Sequence, residues 1–86
     1  MRHYVFYVPN ADKKLQELIA DSADPKDLVK VAKEIDRWLV FRPLEFGESR
    51  YANVRVAFVK PLGIQFELLD DPPTVIVLDI WRTDRG

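Results

Sequence analysis

A chain of 86 residues with 13 basic and 14 acidic side chains, 48% hydrophobic and 31% charged, has the size of one domain and the composition of a folded, water-soluble one. The formal charge of -1 removes any global basic signature for nucleic acid, so affinity of that kind would have to come from local clustering. With no cysteine and a single histidine, His3, disulfide scaffolds, thiolate nucleophiles, cysteine zinc sites and multi-histidine metal sites are excluded, and no cofactor is expected. Serine is limited to Ser22 and Ser49, so a Ser-His-Asp hydrolase would need a terminal strand and one loop to meet. No apolar run reaches the length of a membrane span, and the N-terminus lacks the apolar core and cleavage site of a signal peptide. A cytoplasmic protein without a membrane partner is the expectation.

From His3 to Val8 the residues are aromatic or β-branched, as in a strand on a pleated, buried surface. Pro9 stops pairing, and Asn10 is the expected N-cap of a helix whose Ala11, Leu15, Leu18 and Ile19 recur at three- and four-residue spacing to about Asp21. Asp24 followed by Pro25 marks the start of a second helix with an apolar stripe of Leu28, Val31, Ala32, Ile35, Trp38 and Leu39, ended by Arg42 and Pro43. The two helices form an αα-hairpin.

Residues 43–52, with Gly47 near the middle, show no sustained period and read as a loop. Val54 to Val59 is a strand, Pro61, Leu62 and Gly63 a three-residue hairpin loop, and Ile64 to Leu68 the return strand. That loop would set Phe58 opposite Phe66 and Val56 opposite Leu68. Asp70 to Pro73 form the next turn, and Val75 to Trp81 the last strand.

The order strand-helix-helix-strand-strand-strand predicts one α+β domain over 1–86, a two-layer sandwich in which both helices cover one face of an antiparallel sheet. Phe58, Ile64, Phe66, Leu68, Ile76, Leu78 and Ile80 would face the helices. Val59, Val75, Val77 and Trp81 would then lie on the uncovered face beside Arg55, Gln65, Glu67 and Asp79, which is unusually apolar for a solvated face and suits a protein partner or a homodimer.

The stretches PLEFGESRYANVRVAFVKPLGIQFEL, from Pro43 to Leu68, and TVIVLDIWR, from Thr74 to Arg82, together with the opening VFYVPNADKKLQEL, resemble the RelE/ParE superfamily of type II toxin-antitoxin toxins, also called plasmid stabilisation proteins. The resemblance implies a small bacterial, cytoplasmic toxin neutralised by a cognate antitoxin. It also implies ribosome-dependent endoribonuclease activity on mRNA, with arginines on the open sheet face handling the scissile phosphate. Arg82 matches the arginine after the last strand, Arg55 the one that opens the first meander strand, and Arg50 a more loosely placed one in the preceding loop. An arginine suits such work because its planar fork binds two phosphate oxygens and stays charged. The sequence departs from the pattern at two points. Gly63 stands where many active members have an arginine, and no tyrosine or histidine follows the final strand. These departures leave a non-catalytic protein-binding module or a gyrase-inhibiting toxin as the alternative.

Lys26, Lys30, Lys33 and Arg37 fall on one side of the second helix, opposite its apolar stripe. They would serve as an RNA-contact ridge, or as the solvated side that any amphipathic helix needs, with Asp27, Glu34 and Asp36 flanking them. Trp81 beside Arg82 has the composition of a binding hot spot, whereas Trp38 belongs to the core stripe.

Overall fold

The structure is a computed structural model and describes residues 2–84. Its elements run β1 (Tyr4–Tyr7), α1 (Pro9–Ala20), α2 (Pro25–Phe41), a 3₁₀ turn (Pro43–Glu45), β2 (Glu48–Tyr51), β3 (Val54–Val59), β4 (Leu62–Leu69) and β5 (Thr74–Arg82). The strands form one sheet in the order β1-β5-β4-β3-β2, antiparallel except where β1 joins β5 in parallel. This is the expected α+β sandwich, extended by an edge strand in the segment that reads as a loop. β2 is exposed at every residue and its pairing slips between Ser49 and Tyr51, so it carries no apolar alternation that would betray a strand.

Both helices open on a proline, whose fixed φ suits the first helical position and whose missing N–H is lost there at no cost. The first therefore begins at Pro9, one residue before Asn10, and Val8 rather than Asn10 is its N-cap. In α2 the Asp24 carboxylate accepts the Asp27 backbone N–H at 3.2 Å. Ala11 and Leu15 of α1 and Leu28, Ala32, Ile35 and Leu39 of α2 bury their stripes in one core with Ile64, Phe66, Val77 and Ile80 of the sheet. Both helices therefore lie on the same face. Trp38, Phe46 and Phe66 stack with centroid separations of 5.3 and 6.0 Å, joining α2 to the sheet through the loop. The Tyr7 hydroxyl donates to Asp36 at 2.7 Å and ties β1 to α2. Burial, then this hydrogen bond, then the charge of Asp36 push the phenol pKa well above its usual value.

Two features of register redistribute the side chains between the faces. In the β3–β4 hairpin Val59 pairs with Leu62, so the turn is Lys60 and Pro61, and Gly63 belongs to the strand. Arg55 then sits opposite Phe66, Ala57 opposite Ile64 and Phe58 opposite Gly63. Because side chains alternate with period two, this displacement from the expected pairing turns Arg55, Ala57 and Val59 toward the helices and Phe58 outward. In β5 a bulge leaves Leu78 unpaired between Val77, opposite Phe66, and Asp79, opposite Gln65. Val75 and Val77 before the bulge and Ile80 after it all reach the core. The expectation that Val75 and Val77 line the uncovered face is thus corrected: both are fully buried beneath the helices, and Val59 packs against the same core. Ile76 takes the outward position instead. Trp81 stays outside as expected.

Candidate functional site

The sheet face away from the helices carries large apolar side chains in water. Tyr4 and Phe6 of β1 are 61% and 60% exposed and Phe58 of β3 is 54% exposed, with half-buried Ile76, Gln65, Glu67 and Trp81 between them. Trp81 meets Phe58 edge-on, with centroids 6.1 Å apart and planes at 80°. Gly63 pairs with both residues across its two neighbouring strands, and a β-carbon there would lie 2.7 Å from the indole. Glycine is therefore what lets the tryptophan lie against β4. Tyr4, Phe6 and Phe58 escape the sequence reading because aromatic residues in a short strand suit either face.

The three arginines occupy three different environments. Arg55 faces the helix layer, and its Nε and Nη2 donate to the carbonyls of Phe46 and Gly47 at 3.2 and 2.8 Å. It holds the loop before β2 and does not share the outer face with Glu67, which lies opposite Val54. Arg82, at the end of β5, presents its fork to Asp84: Nε donates to Oδ1 at 2.9 Å and Nη2 to Oδ2 at 2.8 Å. The Asp84 carboxylate occupies the fork as a phosphate would, and this hydrogen bonding raises the guanidinium pKa. Arg50 is exposed on β2 and lines a hollow of about 420 Å³ with Gly47, Glu48, Val56 and Phe58. It therefore shares a hollow with Phe58, one member of the aromatic pair.

Lys26, Lys30, Lys33 and Arg37 are all exposed along α2, and none enters the ion pairs found among the described residues, Lys14–Asp79, Arg42–Glu45 and Arg82–Asp84. Because α2 covers the opposite face of the sheet, this ridge and the aromatic face are separate surfaces. Thr83 and Asp84 follow β5, and Arg85 and Gly86 lie outside the described residues. Among the described residues no group of three or more potential ligands could hold a metal ion, and no helix is long and apolar enough to cross a membrane.

The same arrangement of elements occurs in solved toxin structures. A chain of the toxin-antitoxin complex RelBE2 from Mycobacterium tuberculosis matches 98% of this chain and 95% of its own length, with a TM-score of 0.76 and 20% identity. The chain has the RelE toxin fold. The archaeal RelE-RelB complex from Pyrococcus horikoshii matches over the full length of both chains, with a TM-score of 0.72 and 16% identity. The isolated E. coli RelE toxin covers 98% of this chain and 87% of its own length, with a TM-score of 0.70 and 11% identity. No family model and no curated protein sequence matches the chain. At this identity the RelE fold is held by its apolar pattern, and side-chain chemistry must be read from the residues themselves.

Proposed function

We propose that this chain is the toxin of a type II toxin-antitoxin system and that a cognate antitoxin holds it inactive by covering the open sheet face. The observation that carries this reading is the whole-chain likeness to three RelE structures, two of them determined as toxin-antitoxin complexes. The exposed Tyr4, Phe6 and Phe58 support it, because covering apolar surface contributes about 25 cal/mol for each square ångström removed from water. A partner on that face would also sit over Arg50 at its rim and so block whatever that arginine touches.

For the mode of action, the geometry favours a toxin that works by binding its target over one that cleaves mRNA on the ribosome. Transition-state stabilisation needs charge already aimed at the reacting phosphate. Here Arg55 is committed to two backbone carbonyls, the Arg82 fork is filled by Asp84, and Gly63 contributes only the floor under Trp81. Lys26, Lys30, Lys33 and Arg37 remain available for a nucleic-acid target on the other side of the molecule. Inducing the chain in bacterial cells, then following growth and mapping mRNA ends by primer extension, tests both parts: growth arrest supports the toxin, and discrete cleavage sites would reject the binding mode.

A further inference from the structure

One carboxylate lies at the centre of the open sheet face. The register sets a continuous row of side chains across all five strands: Phe6 pairs with Ile76, Ile76 with Glu67, Glu67 with Val54 and Val54 with Tyr51. Directly paired residues project from the same face of a sheet, so these five share it. Neighbouring strands lie about 4.8 Å apart, which puts Phe6 and Tyr51 roughly 19 Å from each other with Glu67 midway. Both rings are exposed, Ile76 and Glu67 are half-buried, and Val54 is buried outside the core beneath the helices. Glu67 enters none of the ion pairs or side-chain hydrogen bonds found among the described residues. Arg50, the cation at the rim, shares its hollow with Glu48 and Phe58 and not with Glu67.

A free carboxylate in that position is stable while water reaches it. A partner that covers the row removes the water, and an ion left unpaired in an apolar contact is strongly unfavourable. Exposed rings alone would suit stacked bases as well as an apolar protein segment. The carboxylate separates the two, because it repels the phosphates of a nucleic acid and attracts a cation. A second copy of the chain fits poorly as well: Glu67 lies midway along the row, so a twofold through the centre of the face would bring two carboxylates together.

We propose that the antitoxin segment on this face is apolar except for one arginine or lysine, which pairs with Glu67 between contacts to Phe6 and Tyr51. This rests on the reading of the chain as a toxin covered on its open face, and adds the chemistry that its partner must carry. Arginine suits the position better than lysine, since its planar fork binds both carboxylate oxygens and is the more weakly hydrated. The apolar contacts supply affinity and the ion pair fixes register, because a segment displaced along the row would leave Glu67 unpaired.

Random twelve-residue peptides displayed on phage and selected on the full chain stand in for the antitoxin segment. Selection should yield peptides with one arginine or lysine among apolar residues. Glu67→Gln, which removes the charge at nearly unchanged size, should weaken binding of the best synthetic peptide at least about tenfold, as should Phe6→Glu, with circular dichroism unchanged in both. Glu67→Arg should bind that peptide weakly and regain affinity when the cation of the peptide is replaced by glutamate, a rescue that a merely structural role would not produce. Failure to enrich any peptide, selected peptides without a cation, or binding indifferent to either substitution would overturn the proposal. So would a ten-nucleotide RNA whose binding is lost on Phe6→Glu and strengthened by Glu67→Gln, or a dimer in sedimentation equilibrium that Phe6→Glu abolishes. None of these readings depends on toxicity, which growth after induction tests separately.

Discussion

Gly63 and Trp81 face each other across β4 and β5, and the indole occupies the space that any side chain at position 63 would need. Gly63→Ala should cost about 1–3 kcal/mol, as overpacking does when the neighbour is a large ring held by a second contact, here with Phe58. In a Trp81→Ala background the same substitution should cost much less. Urea denaturation of the four proteins in this cycle measures the coupling; equal costs in both backgrounds would remove the steric account.

Arg55 ties two backbone carbonyls of the loop before β2. Arg55→Met keeps much of the apolar stem but leaves the Phe46 and Gly47 carbonyls without the guanidinium, so a loss of about 1–3 kcal/mol is expected. Hydrogen exchange should show the Glu48–Tyr51 strand opening more readily while the Leu62–Leu69 strand stays protected.

Stability should fall in alkali through Tyr7. Its folded pKa lies above the ordinary value of 10.0, so the buried, hydrogen-bonded phenol contributes stability below pH 10 that is lost as the pH rises past the unfolded value. The expected slope approaches 1.4 kcal/mol per pH unit from this one group. Chemical denaturation between pH 9 and 11 should therefore show a steeper decline for the wild type than for Tyr7→Phe, and parallel curves would contradict the assignment.

Much of the layer arrangement is legible in the sequence, because helix caps, prolines and three- to four-residue spacing act locally. The prolines at 9 and 25 and the stripe from Leu28 to Leu39 are of that kind. The faces of the sheet are not legible in the same way. A turn one residue shorter than expected reverses β3, and a bulge at Leu78 reverses the pattern within β5. Both depend on pairing between distant segments, so Val75, Val77 and Phe58 change sides with no local sign. Arg82, expected just after the last strand, is its final residue, and its engagement by Asp84 is a side-chain event with no local signature.

If the open face receives the antitoxin, Phe6→Glu should leave folding intact, because Phe6 is largely exposed, and weaken antitoxin binding by at least about tenfold through the desolvation of a new carboxylate. Leu44→Glu, away from that face, should bind normally. Titration calorimetry of the two variants distinguishes the surfaces, and equal binding by Phe6→Glu and wild type would place the antitoxin elsewhere.

Primer extension on an abundant mRNA after induction is expected to show no discrete stops, given the engaged state of Arg55 and Arg82. Stops that fall at least about tenfold with Arg82→Ala would instead assign cleavage to that fork and show that substrate phosphate displaces Asp84.

The most direct measurement is the growth of a bacterial culture after tightly controlled induction of the wild-type chain alone. Arrest is expected soon after induction, relieved when the cognate antitoxin is expressed beside it. Undisturbed growth while the folded protein accumulates would contradict the reading of this chain as a toxin.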